Sequence, residues 1–76
     1  MRIIVKLYGD LKAHAPGDRN QFSLTVTRET TLGDIHKMLS IPEHAHVSLI
    51  NGRRAHRESR FEEGDTLVMF PPLAGG

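Results

Sequence analysis

The sequence contains no cysteine and no tryptophan, and only one tyrosine and three phenylalanines among its 76 residues. The lack of cysteine excludes disulfides, thiolate nucleophiles and cysteine metal ligands, so any sulfur chemistry needs sulfur from a partner. A chain of this length forms a single domain that buries only about 60% of its unfolded surface, which leaves little room for an enclosed active site. Size therefore favours a binding module, carrier or subunit over an independent enzyme.

Long hydrophobic runs and an excess of one charge are also lacking. The apolar run at residues 3–5 is too short for a signal-peptide core, and no segment approaches a membrane span. We therefore expect a cytoplasmic protein without membrane contact. Lys and Arg number 10 against 9 Asp and Glu, whereas nucleic-acid-binding domains usually carry a larger basic excess. No nucleic-acid partner is predicted.

Three segments show the two-residue periodicity of strands: residues 2–8, residues 21–27 and Thr66–Phe70. Alternation directs one set of apolar side chains to the core, namely Ile3, Val5, Leu7, Phe22, Leu24, Val26, Leu67 and Met69. A short apolar run, Val47–Ile50, precedes Asn51-Gly52, the strongest dipeptide signal for a tight hairpin. Residues 53–60 are polar and basic, which fits either an edge strand or an exposed loop.

A single helix is predicted to begin at Thr30-Thr31, where a hydroxyl can accept the first unpaired N–H groups and Asp34 lies near the positive end of the dipole. Its apolar stripe comprises Leu32, Ile35, Met38 and Leu39. Pro42 ends the helix by about Ser40.

The order strand, strand, helix, short strands, strand predicts an α+β fold. It is a β-grasp roll, in which a mixed sheet of four to five strands packs on one helix. The first two strands form an antiparallel pair, and the last strand returns beside the first. Residues 1–70 form the domain, and residues 71–76 form a flexible tail.

The tail has features suited to chemistry at its end. Pro71-Pro72 favours an extended conformation that projects the following residues away from the domain. Gly75-Gly76 lacks side chains and can thread a narrow channel, while Leu73 can be anchored in a groove of a partner. A partner that adenylates the Gly76 carboxylate with ATP makes it reactive towards a sulfur donor or a thiol. The alternative is a frayed, functionless end.

Three motifs give the chain a family resemblance. They are Asn51-Gly52-Arg53, Glu63-Gly64-Asp65-Thr66-Leu67 and Phe70-Pro71-Pro72-Leu73-Ala74-Gly75-Gly76. With Lys6-Leu7-Tyr8 and Leu11-Lys12, they resemble the sulfur-carrier family of the molybdopterin synthase small subunit and the thiamine-pathway carrier protein. The resemblance implies a ubiquitin-like fold, adenylation by a ubiquitin-activating-type enzyme, and sulfur carried as a thiocarboxylate on Gly76. It implies no bound cofactor, since the activating partner uses the ATP.

Two branches of that family remain open. The ending from Phe70 to Gly76 is similar to the molybdopterin branch, which implies that the tail enters the large subunit of molybdopterin synthase. The segment at residues 41–46 is shorter than is usual in the molybdopterin branch and is nearer the thiamine type, which implies a thiazole-synthase-type acceptor. A ubiquitin-like protein modifier joined through Gly76 and a non-covalent interaction module are further alternatives. The free chain is expected to be a monomer.

The outer face of the sheet is the expected docking surface. If the core holds the inward set, then Ile4, Tyr8, Val68 and Phe70 share the opposite face and form an apolar patch for a partner. Alternatively, these are scattered surface residues or are covered by residues 53–60.

Histidine and arginine side chains suggest weaker hypotheses. In an extended chain His44 and His46 lie on one face, but without a third ligand we predict no metal site. His14 and His36 are interpreted as surface residues. Residues 53–60 carry four arginines and His56, which form a solvated loop or contact an acidic partner.

Overall fold

The computed structural model describes residues 1–42 and 46–72. Within these ranges, five strands and one α-helix follow in order: β1 (Arg2–Leu7), β2 (Gln21–Thr25), α1 (Leu32–Leu39), β3 (Val47–Ile50), β4 (Arg53–Arg54) and β5 (Thr66–Phe70). Two short 3-10 helices, Gly9–His14 and Pro16–Asp18, connect β1 to β2. The predicted α+β fold, with a mixed sheet and one helix, is confirmed.

The sheet has the strand order β2-β1-β5-β3-β4. β1 pairs antiparallel with β2, with Val5 opposite Phe22, and parallel with β5, with Val5 opposite Leu67. β3 pairs antiparallel with β5 and with β4. The prediction that the last strand returns beside the first is therefore correct, and β4 is the edge strand that residues 53–60 allowed.

The core lies between the inner face of this sheet and α1. Its buried apolar residues are Ile3, Val5, Leu7, Leu11, Val26, Leu32, Ile35, Ile41, Phe61, Leu67 and Met69. Phe22 and Leu24 are partly buried and pack against this cluster, because β2 is an edge strand with one flank open. The inward set predicted for β1 and β5 is confirmed.

The predicted apolar stripe of α1 is wrong at one position, because Met38 is 54% exposed. At 3.6 residues per turn, Met38 lies about 120° around the helix from Leu32, while His36 lies only about 40° from it. His36 therefore occupies the core-facing side and is only 5% exposed. The interpretation of His36 as a surface residue is wrong for the same reason.

The start of α1 has partners for its backbone N–H groups. Thr31 is the N-cap, and its hydroxyl accepts from the Asp34 N–H, while the Asp34 carboxylate accepts from the Thr31 N–H. These hydrogen bonds hold the pKa of Asp34 below its ordinary value, the backbone bond being the larger cause. The N–H groups of Leu32 and Gly33 donate to the carbonyls of Ser59 and Arg57. These bonds attach the loop after β4 to the helix side of the domain.

Two turns that carried the family resemblance meet in space. Asn51 and Gly52 both have positive φ, 51° and 83°, and form the predicted tight turn between β3 and β4. The Asn51 amide donates to Asp65 Oδ1 at 2.8 Å, and its oxygen accepts from the Thr66 N–H at 2.9 Å. The motifs around residues 51 and 65 thus form one hydrogen-bonded unit that fixes β3 against β5.

Candidate functional site

The structure describes the beginning of the predicted tail but not its end. Pro71 and Pro72 directly follow β5. The remaining tail residues, Leu73, Ala74, Gly75 and Gly76, lie outside the described residues, as does His44. The roles assigned to them stay predictions.

The first tail residue packs against the domain. A Cβ atom built on Gly9 would lie 2.7 Å from Pro71 Cγ and 3.1 Å from its Cδ, so the proline ring lies directly against the Gly9 backbone. The Tyr8 N–H donates to the Met69 carbonyl at 3.0 Å, which extends the β1–β5 pairing up to this contact. The chain therefore leaves the sheet against a fixed surface made by residues 8 and 9.

The outer face of the sheet carries three of the four residues predicted for docking, and the fourth, Tyr8, directly follows β1. Ile4, Val68 and Phe70 are half-buried, and Tyr8 is exposed. Pairing adds two residues that the sequence analysis left unassigned, because Val47 lies opposite Phe70 and Leu49 opposite Val68. We call Ile4, Val47, Leu49, Val68 and Phe70 the outer apolar patch.

Two cations flank this patch in one cross-strand row. Lys6 lies opposite Val68 on one side, and Arg54 lies opposite Leu49 on the other. Neither side chain is ion-paired with a carboxylate in the part of the chain that the structure describes; Arg57 and Glu58, 4.0 Å apart, are such a pair elsewhere. The loop after β4 is hydrogen-bonded to the start of α1, on the opposite side of the sheet from the outer apolar patch. The outer face therefore presents an apolar centre between the positive charges of Lys6 and Arg54.

The histidines form a contact on the helix side. His36 Nε2 and His46 Nε2 are 2.9 Å apart, and the two rings meet edge to face with centroids separated by 4.6 Å. His14 Nδ1 lies 3.1 Å from the Leu39 carbonyl at the end of α1. Burial lowers the pKa of His46 below its ordinary value; a hydrogen bond with the Pro42 backbone opposes the shift and the charge of His14 adds to it. Sequence reasoning missed this pair because residues 36 and 46 lie on different elements.

In the described ranges, groups suited to metal binding or acid–base chemistry are few. Residues 1–42 and 46–72 contain no cluster of three or more His, Cys, Asp or Glu side chains able to hold a metal. An open groove of about 740 Å³ at the sheet edge is lined by Arg53, Arg60 and Phe61 among others. Two carboxylate residues, Glu62 and Asp65, also line this groove. The Asp65 carboxylate accepts from the Asn51 amide and the Glu62 N–H, both at 2.8 Å, so it stabilises the two turns that meet there. No helix in the described ranges is long and apolar enough to cross a membrane.

The sequence profile of the ThiS family matches residues 5–76, nearly the whole chain. This chain belongs to the ThiS family. The predicted membership in a family of small ubiquitin-like sulfur carriers is therefore confirmed. No curated protein matches the sequence.

Solved structures confirm the ubiquitin-like fold of this ThiS-family member. Small archaeal modifier protein 1 of H. volcanii has a TM-score of 0.76 at 23% identity, over 95% of this chain and 98% of that one. A chain of the complex of subunits 1 and 2 of the Helicobacter pylori molybdopterin-converting factor has a TM-score of 0.66 at 18% identity, over 100% of this chain and 100% of that one. Ubiquitin of Caldiarchaeum subterraneum has a TM-score of 0.63 at 20% identity, over 100% of this chain and 98% of that one. At these identities the likeness concerns the fold alone.

Proposed function

We propose that this ThiS-family chain carries sulfur on Gly76, after a ubiquitin-activating-type enzyme has adenylated the carboxylate of that residue. The observation that carries the proposal is the family match, which runs from residue 5 through Gly75-Gly76. The position of Pro71-Pro72 supports it, since these two residues directly follow the last strand and cannot continue its ladder of hydrogen bonds. The chain itself then acts as a carrier and not as an enzyme.

The chemistry follows from the poor reactivity of a carboxylate. A carboxylate oxygen of Gly76 attacks the α-phosphorus of ATP, which forms an acyl-adenylate and releases pyrophosphate. With hydrosulfide as nucleophile, a C–S bond forms while the C–O bond to AMP breaks, and AMP departs with the electron pair. Loss of the proton leaves a thiocarboxylate. Held on the protein, this sulfur has a high effective concentration in the next enzyme's site.

The destination that we favour is a pterin precursor bound to a molybdopterin-synthase-type large subunit, because the residues from Phe70 to Gly76 resemble that branch. The two-subunit complex of the H. pylori molybdopterin-converting factor is a precedent for such a partner. The alternative acceptor is a thiazole-synthase-type enzyme of the thiamine branch. Either reaction would take place in the cytoplasm, with a carrier that is monomeric when free.

The outer apolar patch is the surface that we propose for docking these partners. It lies beside the strand that leads into the tail, so a partner seated on it would have the tail within reach. Its half-buried side chains supply apolar contact area, while Lys6 and Arg54 would select a partner surface with carboxylates at its rim.

Intact mass spectrometry tests the proposal directly. Incubation with the activating enzyme encoded in the same genome, ATP and sulfide should add the mass difference between sulfur and oxygen. A variant lacking Gly75 and Gly76 should stay unchanged, as should a variant extended by one residue after Gly76. If the native chain keeps its mass while a characterised carrier is modified under the same conditions, the proposal is wrong.

A protein modifier is the second candidate, favoured by the similarity to small archaeal modifier protein 1. It uses the same adenylation, but the acyl group passes to a lysine amine of another protein. Conjugates of higher mass that require Gly76 would support this candidate. Full biological activity after deletion of Gly75 and Gly76 would instead indicate a non-covalent interaction module.

A further inference from the structure

Gly9 is a glycine for which the surroundings allow no side chain. Its φ of 61° lies in the left-handed region, and a Cβ at this position would approach Pro71 Cγ to 2.7 Å, closer than real Cβ contacts. Gly17, Gly52 and Gly64 also have positive φ, but a Cβ built on any of them would meet nothing within 4 Å. The need for glycine at position 9 therefore comes from Pro71 as well as from the backbone.

Pro71 is the residue at which the tail leaves the sheet. The hydrogen bond from the Tyr8 N–H to the Met69 carbonyl holds the chain in register up to Met69, and the last strand residue, Phe70, lies opposite Val47. Beyond it the next two residues are prolines, which have no N–H to continue the ladder and have a fixed φ. The Pro71 ring is half-buried against Gly9, whereas Pro72 is exposed. Packing on Gly9 is thus a contact that the tail makes with the domain directly after β5.

We infer that Gly9 is a positioning residue that seats the Pro71 ring and so sets the direction in which the tail leaves the domain. The inference rests on the proposed function. When a partner docks on the outer apolar patch, the direction of the tail would already be fixed. Less conformational entropy would then be lost when Gly76 enters the nucleotide site of the activating enzyme. A side chain at position 9 would displace Pro71 and redirect the tail before docking.

The substitution Gly9→Ala tests this inference, with Gly17→Ala as matched control. Both glycines have nearly the same φ, 61° and 66°, but only Gly9 has a neighbour that a Cβ would meet. We expect Gly9→Ala to raise the KM of the activating enzyme for the carrier about tenfold, within the range that small misplacements cause, with little change in kcat. Gly17→Ala should leave both constants near those of the native chain.

Two further variants separate the contact from backbone strain. Asparagine tolerates positive φ but has a Cβ, so Gly9→Asn should raise KM as Gly9→Ala does while disturbing the fold less. Pro71→Ala removes the ring carbons, so the double variant Gly9→Ala/Pro71→Ala should have the KM of Pro71→Ala alone. Nuclear Overhauser contacts between the Gly9 Hα protons and the Pro71 ring should be present in the native chain and absent from Gly9→Ala.

Each outcome decides the matter. Unchanged KM in Gly9→Ala and Gly9→Asn, with normal thiocarboxylation of the native chain, overturns the inference and leaves the proposed function intact. A double variant more impaired than Pro71→Ala alone also overturns it, because the loss would then come from backbone strain. If the native chain is not activated at all, the proposed function fails and the positioning role fails with it, whatever the Overhauser contacts show.

Discussion

The hydrogen bond between His36 and His46 joins two rings that can each gain a proton. With the two Nε2 atoms 2.9 Å apart, one nitrogen donates and the other accepts. If both rings were protonated, two N–H groups would face each other and the bond would be lost. The contact therefore requires at least one neutral ring.

This pair predicts a pH dependence of stability. The pKa of His46 is lowered in the folded chain from 6.5, so the folded state binds fewer protons than the unfolded state once the pH falls below that value. The free energy of unfolding should keep its full value above 6.5, the pKa of His46 in the unfolded chain. It should fall as the pH drops from 6.5 towards the lower pKa of His46 in the folded chain. Denaturant unfolding at about pH 7.5 and about pH 5.5, above the range of carboxylate titration, measures the difference.

The matched control for this prediction is His46→Gln, which keeps a polar side chain but cannot be protonated. His14, whose charge adds to the lowered pKa of His46, stays in place in this variant. The free energy of unfolding should then change less over the same pH interval. An equal change in both chains would assign the pH dependence to groups other than His46.

Single side chains show where sequence periodicity is too coarse. The spacing placed Met38 in the helix stripe because it is apolar, and it placed His36 at the surface because it is polar. The helix geometry assigns the opposite environments, since rotation around the axis depends on position and not on polarity. The partner that accommodates the buried histidine, His46, is ten residues away and could not be inferred from local pattern.

At the scale of elements, the sheet presents the surface on which docking is predicted. Val68 lies at its centre, on β5, between Leu49 of β3 and Lys6 of β1. The substitution Val68→Glu should raise the KM of the activating enzyme for this carrier by more than about tenfold, because a charge would be placed in the centre of the apolar contact. Initial rates of pyrophosphate release at varied carrier concentration measure it.

Two variants make the Val68 experiment decisive. Met38→Glu places the same charge on the exposed face of α1 and should leave KM unchanged. Val68→Thr keeps the β-branched shape, so it should stay folded while it weakens docking by a smaller factor. If Val68→Glu is folded by circular dichroism and activated normally, docking does not use this face.

The strands and their turns were largely predictable, because alternation and the Asn51-Gly52 dipeptide are local signals. The extent of the outer apolar patch was not. Val47 and Leu49 join it only through their register with Phe70 and Val68, some twenty residues further along the chain. The contact between Gly9 and Pro71 was missed for the same reason, since it joins two residues far apart in sequence.

At the scale of the whole molecule, stability depends on a small core around β1 and β5. Leu67 is fully buried, with Val5 of β1 and Ile50 of β3 as its cross-strand neighbours. Leu67→Ala should lower the free energy of unfolding by about 2–5 kcal/mol. The free energy of unfolding of a domain of this size is roughly 4–11 kcal/mol, so this loss should raise the fraction of unfolded molecules at 37 °C.

Denaturant unfolding of Leu67→Ala measures this loss, with Leu67→Ile as the volume-conserving control, for which a cost below about 1.5 kcal/mol is expected. A loss below about 1 kcal/mol in the alanine variant would mean that the core closes around the missing atoms and tolerates truncation better than its small size suggests.

The overall architecture followed from the order of the elements, because short connections and one helix leave few ways to cover one sheet face. The functional end that we propose for the molecule rests on a motif, whose meaning comes from the family, and it stays a prediction. Physical pattern alone indicated a tail that could be activated; it could not distinguish a carrier from a modifier, because both need the same glycine terminus.

The central position of β5 has a consequence for biosynthesis. β1 and β3 are neighbours of β5 and not of each other. Until β5 pairs with them, β1 has an unpaired edge on the side away from β2, and β3 has only the two-residue β4 beside it. The nascent polypeptide is therefore vulnerable to aggregation until its last strand inserts, and the strand that completes the sheet is also the one that leads into the proposed functional tail.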